Sequence, residues 1–474
     1  MINNNINKKS LLIGLFILIF FTSEVVLSQI NDNADNNIGV IENDLTFSRL
    51  DNIAPTIDQN NYFDLIRASI LDQPEFLYAN SNLEEKNQNL KFARRQMLPE
   101  LSVRVINDKV LDRDIDDFSS IRKRQDDSFD AAVEISQPIY NGGAIRNQIK
   151  KSRTEKSVSQ IERKNALSQL IVDANEIYLA AVTSELLYSY AENLILEITP
   201  YLEKVRERVR LGISDPIELA IFSIKYNDLK AKVQLLKTNK NRDIGIFEYF
   251  YETKFENYYL PKVYVPRVFL DKNKEAYNVI ASRLNYKSML FDTEIVKGDY
   301  RPKFGFSTRY TVYDIDENEN DSDIRGGIYF SMPVFSFGRG TARVSASKAA
   351  ANASKMNIGI EQKNDENREN QIVNLIESSL NTRNDLYDSF LDTKNQARII
   401  KNRLDSINFS AQAYVESAIQ EISLLEKILS TEASLLGGYL LYLHQNQNLN
   451  NLLRIDPWVK IKFNWRIIGS GDLL

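Results

Sequence analysis

The sequence predicts a mainly α-helical chain with a β-barrel portion, built from two internal repeats that each carry a membrane-type β-hairpin and a very long coiled-coil helix. Three observations carry that expectation. One order of motifs occurs twice, with Pro302 following Pro99 by 203 positions and Pro333 following Pro138 by 195, which is the mark of duplication. An apolar 3.5-residue repeat persists in each copy beyond the length of an ordinary buried helix. Past residue 28 no run of 18 consecutive apolar residues occurs, so a chain that crosses a bilayer must do so with strands.

Composition narrows the chemistry. The 474 residues are roughly three domains of material, enough for a large core. With 43% apolar and 26% charged residues and a net charge of −5, the chain is neither a disordered polyanion nor a basic nucleic-acid binder. Cysteine is absent and His444 is the one histidine. That excludes thiol nucleophiles, disulfides, Cys/His zinc sites, haem attachment and an N-terminal lipid-modified cysteine. No catalytic residue, cofactor or metal site is expected. Only 17 glycines and 11 prolines, about half of ordinary usage, leave few turns and long elements between them.

Lys8 and Lys9 precede an apolar run from Leu11 to Phe21, and Ser28 lies two positions after Val26, so residues 1–28 read as a secretory signal cleaved before Gln29. The run would make about 16 Å of helix against a hydrocarbon core of about 30 Å, too short for an anchor. Residues 29–61, rich in Asn and Asp, read as a flexible mature N-terminus.

The first repeat, 62–250, opens its β-hairpin at 101–137 after Leu98-Pro99 and closes it with Gln137-Pro138-Ile-Tyr-Asn-Gly142-Gly143. Phe129, Ala131, Val133 and Ile135 alternate with Asp130, Ala132, Glu134 and Ser136, the period-two pattern of a two-faced strand. A long helix is expected over 143–211. Steps of four and three from Leu170 through Ala174, Ile177 and Ala181 to Val209 visit twelve positions, eleven of them apolar, where composition alone predicts about five. Pro200 should kink or interrupt this helix. In the turn Gly212-Ile-Ser214-Asp215-Pro216, glycine can cap one helix, and Ser214 or Asp215 can start the return helix 216–250 with proline just inside it. Residues 251–275 link the repeats.

The second repeat, 276–450, has its hairpin at 303–334, between Pro302 and the run Met332-Pro333-Val-Phe-Ser-Phe-Gly338. Phe304, Phe306, Tyr310 and Val312 alternate with Ser307, Arg309 and Thr311; Leu101–Ile106 and Gly326–Val334 supply the partner strands. The acidic loop 314–323 reads as solvated rather than calcium-binding, lacking the EF-hand glycine and terminal glutamate. The seam from Ile372 to Tyr414 is apolar at ten of thirteen steps and predicts a long helix over 341–417, a turn at 417–421 and a return helix 420–448. Residues 451–474 end the chain.

The alternation of these strands taken alone equally suits a soluble sandwich. Export, the lack of helical spans and the long helices favour the membrane. Four strands per chain leave two open edges, which a bilayer does not tolerate. Three copies supply twelve strands and an open pore, whereas two supply eight, whose interior side chains would fill the barrel. A homotrimer bounded by lipid follows.

The Leu-Pro before the first strand, the Gln-Pro-Ile-Tyr-Asn-Gly-Gly after the second, the Arg-Leu-Gly-Ile-Ser turn and the later Met-Pro-Val-Phe run resemble TolC-type outer-membrane efflux proteins over about residues 62–450. The resemblance implies a homotrimeric twelve-stranded barrel in the outer membrane of a Gram-negative bacterium. The barrel would continue into a periplasmic tunnel of antiparallel coiled-coil helices, with 251–275 and 451–474 as equatorial segments. It further implies a passive exit duct that docks onto a periplasmic adaptor (membrane fusion) protein and is driven by an inner-membrane ABC transporter of type I secretion or a proton-driven drug exporter. By position, Tyr414 matches a gate tyrosine, Glu218 its acidic partner and Glu426 an acidic constriction residue. Gly212, Ser214, Asp215 and Ser417 match helical tips that meet the adaptor. Pro99, Pro138, Gly142, Gly143, Pro302, Pro333 and Gly338 match strand–helix junctions. Ser417 replaces the usual tip glycine, and Ser423 stands where a second acid often sits. Three converging carboxylates in a narrow lumen would repel anions and attract cations. The alternatives are a secreted coiled-coil scaffold without a membrane, and an enzyme built on Asp130 and Glu134, two positions apart on one strand face.

Overall fold

The structure is a computed structural model that describes residues 46–51, 53–109, 127–265, 274–315, 321–403 and 411–456, together with Trp458. The expected signal segment, most of the hairpin loop after Lys109, the middle of the acidic loop and the chain end after Trp458 lie outside the described residues. In chain order the elements are β1 (Thr56–Asp58), α1 (Gln59–Ile70), α2 (Pro74–Arg95), β2 (Glu100–Lys109), β3 (Asp127–Asn141), α3 (Ala144–Arg210) and α4 (Pro216–Tyr251). They continue with β4 (Leu260–Lys262), α5 (Tyr277–Gly298), β5 (Lys303–Val312), β6 (Ser322–Ser331), α6 (Arg339–Asn402), α7 (Ala411–Gln445) and α8 (Leu449–Leu452). The run α2-β2-β3-α3-α4 is repeated as α5-β5-β6-α6-α7. The match extends to length: 22 residues for α2 and for α5, 67 for α3 against 64 for α6, and 36 for α4 against 35 for α7.

The chain divides into two compact units, and α3 and α6 contribute to both. One unit comprises Met1–Gln73, Leu167–Glu275 and Asn367–Val459. Its core follows the heptad seams: Leu170, Ala174, Ala181, Ala191, Ile198 and Val205 of α3 and Ile376, Phe390 and Ala397 of α6 are buried. Tyr62, Tyr178, Phe247, Tyr251 and Tyr258 add an aromatic cluster, with Tyr62 and Tyr178 centroids 4.8 Å apart and the Tyr251 hydroxyl donating to the Ala174 carbonyl at 2.8 Å. Arg383, a charged residue inside the α6 seam, is 3% exposed because its Nε donates at 2.6 Å to Glu432 of α7, itself fully buried.

Three expectations change in this unit. Residues 46–61 are not a flexible tail. Phe47 and Leu50 are fully buried, the Phe47 amide donates to Glu432 Oε2 at 3.0 Å, and β1 runs parallel to β4 with Thr56 opposite Leu260. A few apolar side chains in a polar segment suffice to seat it. Pro200 does not interrupt α3, which runs through it. Proline removes one amide from a helix of this length, and the hydroxyl of the preceding Thr199 turns back to the Ile195 carbonyl at 2.7 Å. The second long helix ends at Asn402, not 417, and the return helix begins at Ala411, not 420. Ser417 therefore lies inside α7, 9% exposed, its hydroxyl bonded to the Tyr414 carbonyl at 3.0 Å, and is not a tip residue. The apolar steps at Leu404, Ile407, Ala411 and Tyr414 continue the 3.5 periodicity across the helix end and concealed the break. The connecting residues 404–410 lie outside the described residues.

The other unit comprises Pro74–Ala166, Ala276–Glu366 and Lys460–Leu474. It holds a four-stranded antiparallel sheet in the order β2-β3-β5-β6, with α2, α5 and the first parts of α3 and α6. Arg163 of α3 stacks over Phe76 of α2 at 5.1 Å, and Lys151 pairs with Asp292 of α5 at 2.6 Å.

Candidate functional site

The register of the sheet sorts its side chains. Leu101 lies opposite Ile135, Val103 opposite Val133, Val133 opposite Tyr310 and Phe306 opposite Ile328. Directly opposed residues share a face, so most apolar residues of the four strands lie on one face, with Ile106 and Tyr329 on the other. The other face carries Arg104, Glu134, Arg309 and Arg325, with Glu134 and Arg309 cross-strand partners joined at 2.6 Å. That ion pair ties β3 to β5 and lines the polar side. Asp130, the other carboxylate on the β3 polar face, accepts the Asp314 amide at 3.3 Å. β2 and β6 are the edges, and Leu101, Val103, Ile324, Ile328 and Phe330 are 66–78% exposed.

The junction residues have distinct tasks. Pro99 and Pro302 stand immediately before β2 and β5, and Pro138 marks a register shift in β3, where its missing amide cannot join the ladder. Gly142 (φ +55°) and Gly143 (φ +84°) turn β3 into α3. A Cβ on Gly142 would lie 2.2 Å from the Gly298 carbonyl oxygen, so only glycine fits. Pro333 follows β6, and Gly338 (φ +80°) precedes α6 in open space.

Between α3 and α4, Gly212 adopts φ +71°. The Gly212 and Ile213 amides return to the carbonyls of Val209 and Arg208 at 3.0 and 2.9 Å, the paired bonds of a Schellman cap. Ser214 Oγ accepts from Arg208 Nε at 3.1 Å, and Asp215 caps α4 by accepting the Ile217 amide at 2.8 Å, with Pro216 at the first helical position. Leu211, Ile213 and Ile217 around this turn are 60–64% exposed.

Near the start of α7, the Tyr414 hydroxyl donates to Glu197 of α3 at 3.1 Å, and Lys401 of α6 pairs with the same carboxylate at 2.7 Å. The acidic partner of Tyr414 in the chain is therefore Glu197, not Glu218, which sits in the first turn of α4. The Lys401 bond holds the Glu197 carboxyl below its ordinary range, and burial lifts the Tyr414 phenol above its own. One level further along α7, Glu421 is 3% exposed and accepts from the Tyr190 hydroxyl at 2.7 Å; burial raises its carboxyl. Glu426 is not a bare carboxylate. Lys232 of α4 reaches it at 3.3 Å and donates to Ser423 at 2.8 Å, so the serine in place of an acid leaves one cation facing one anion. Glu197, Lys401, Lys232, Glu421 and Glu432 were not singled out from sequence. Glu421 and Glu432 had a signal, since both interrupt the apolar steps Ala411, Tyr414, Ala418, Leu425, Ile428 and Leu435 of α7. Among the described residues no group of three or more acidic or histidine side chains could hold a metal ion, and no helix is long and apolar enough to cross a membrane.

Each helical repeat carries one hairpin of a four-stranded sheet that is open at both edges. Solved structures share this fold. The chain superposes on the CmeC outer membrane channel of Campylobacter jejuni with a TM-score of 0.69 and 13% identity, over 88% of this chain and 93% of that one. For the MtrE outer membrane channel of Neisseria gonorrhoeae in its open state the values are 0.66, 13%, 86% and 96%. For the outer membrane protein VceC of Vibrio cholerae they are 0.64, 11%, 83% and 96%. No family model matches the chain, and no curated protein does. The TolC-type channel fold expected from the sequence is the fold of this chain.

Proposed function

We propose that the protein is a passive exit duct of the outer membrane of a Gram-negative cell. Three copies pool their strands into a twelve-stranded barrel, and the long helices form a tunnel into the periplasm. The single observation that carries this reading is the sheet: a mostly apolar face suits lipid, and two unpaired edges are tolerated in a bilayer only if other copies close them. A periplasmic adaptor opens the duct at the helical ends, and an inner-membrane transporter, either a type I secretion ABC transporter or a proton-driven drug exporter, supplies the energy. The exposed Leu211, Ile213 and Ile217 around Gly212, Ser214 and Asp215 suit an apolar adaptor surface. Tyr414 with Glu197 and Lys401, and Glu426 with Lys232, brace the closed end. The protein itself catalyses no reaction. Its likeness in fold to CmeC, MtrE and VceC supports the reading.

The test is reconstitution of the mature chain into planar lipid bilayers. Discrete, long-lived conductance steps are expected. A chain that stays in solution without detergent and leaves the bilayer silent would instead be the secreted coiled-coil scaffold.

A further inference from the structure

The two ends of the four-stranded sheet differ in charge. Around its helix end, residues 90–99, 137–154 and 331–360 hold eleven lysines and arginines and no acid, where composition alone predicts about eight acids. Around its loop end, residues 108–130 and 314–323 hold fourteen acids against five bases. The whole chain has a net charge of −5, so the basic end is a local feature.

Strand length sets that end at the edge of the hydrocarbon. β2, β5 and β6 have ten residues each, about 33 Å at about 3.3 Å per residue. A tilt of about 40° leaves about 25 Å of height, which is the height of the apolar band of a membrane barrel. The chain beyond the strand ends therefore stands among headgroups, a layer about 5–8 Å deep on each side. Arg94 and Arg95 close α2 five residues before β2, and Arg339 opens α6. Arg146 and Arg343 lie within about 6 Å of the starts of α3 and α6 at 1.5 Å per residue.

All five guanidinium-bearing residues are exposed. Arg94, Arg95, Arg146 and Arg339 make no ion pair among the described residues, and Arg343 reaches Asp299 only at 3.7 Å. Interleaved with them, Phe92, Leu98, Ile139, Val334, Phe335 and Phe337 are 59–91% exposed. Phe335 and Phe337 stand edge to face with centroids 4.6 Å apart. Apolar side chains beside long cationic ones suit the boundary between acyl chains and headgroups.

Resting on the outer-membrane reading above, we infer that the strand–helix junctions form a binding surface for anionic phospholipid. Arg94, Arg95, Arg146, Arg339 and Arg343 take headgroup phosphates of the leaflet facing the tunnel, and the exposed aromatic and aliphatic side chains between them enter its acyl boundary. The planar fork of arginine matches phosphate oxygens two at a time. A zwitterionic headgroup brings its own cation to the phosphate and gains less from a basic cluster, so charge complementarity selects lipid of net negative charge. Both repeats contribute, which gives each copy arginines on either side of its sheet's helix end.

The full mature chain, extracted and delipidated in non-ionic detergent, is titrated with phosphatidylglycerol and separately with phosphatidylcholine, and bound lipid is counted by native mass spectrometry. Phosphatidylglycerol should bind at least tenfold more tightly. Arg339→Gln/Arg343→Gln and Arg94→Gln/Arg95→Gln should each weaken it at least tenfold and leave phosphatidylcholine unchanged. Lys348→Gln/Lys355→Gln removes the same charge from α6 about 14 and 24 Å beyond its start, outside the headgroup layer, and should change neither lipid. Equal affinity of the wild type for the two lipids overturns the inference whether or not a variant folds. An equal loss in the Lys348→Gln/Lys355→Gln protein also overturns it, since total charge and not position would then govern binding. Either failure in a protein that still gives conductance steps in planar bilayers leaves the duct standing; a chain that never enters a bilayer overturns both readings.

Discussion

The one histidine of the chain offers a titration with a single owner. His444 of α7 sits with Nδ1 2.8 Å from the hydroxyl of Ser168 on α3, itself fully buried. Burial, aided by the positive charge of Arg368 on α6, lowers the imidazole from 6.5 to about 4. In the unfolded chain the ring takes up its proton as pH falls through about 6.5, whereas in the folded chain it resists until about pH 4. Over that window the unfolded state binds more protons, so acid erodes stability, by about 1.4 kcal/mol per pH unit and about 3 kcal/mol in all, with no further loss below pH 4. Above pH 6.5 the ring is neutral in both states and costs nothing. The perturbation is acidification from pH 7 to pH 4 with His444→Gln as the comparison, so that carboxylates common to both chains, Glu421 among them, cancel. Two assays apply: hydrogen exchange at the imidazole C2 position read by mass spectrometry, which reports the folded-state value, and unfolding across the pH series. The wild type should lose about 3 kcal/mol more than His444→Gln. A folded-state value of 6 or higher, or parallel stability profiles for the two proteins, would refute the reasoning.

Glu432→Gln leaves Arg383 buried without its counter-charge and should cost at least about 3 kcal/mol, whereas the paired Arg383→Met/Glu432→Leu should recover most of that loss; melting midpoints decide. Amide exchange in residues 46–51 should rise in both variants, since each weakens or removes the acceptor of the Phe47 amide. Gly142→Ala meets backbone at 2.2 Å and should abolish folded protein in the membrane, while Gly338→Ala, strained only by its positive φ, should cost roughly 1–2 kcal/mol; equal yields of the two would contradict the close approach at Gly142. Lys232→Met uncovers Glu426 and should raise cation over anion permeability in planar bilayers, with Glu426→Gln moving the reversal potential the other way; an unmoved potential in both would take this pair out of the lumen.

Much of the architecture was written where the chain repeats itself. Pro99 and Pro302, and Pro138 and Pro333, stand at equivalent points because a missing amide is tolerated only at strand ends and bulges, and that fixed the hairpins. The first turn was legible because Gly212, Asp215 and Pro216 each have a stereochemical reason to be there. The second was misplaced because its connection has no glycine or proline while apolar spacing runs on past Asn402. Periodicity shows which face of a helix is buried, not where the helix stops. The Tyr414–Glu197 and Glu426–Lys232 contacts were hidden for a related reason. Glu197 lies 217 positions from Tyr414, and Lys232 nearly as far from Glu426, so only helix packing brings them together. Phe47 likewise offered a polar neighbourhood and no periodicity, although its amide reaches Glu432.

Native mass spectrometry of the detergent-extracted mature chain tests the shared barrel most directly. A particle of three chains that requires detergent to remain in solution is the predicted result. A single chain, or a particle equally soluble without detergent, would contradict a sheet completed by neighbouring copies within lipid.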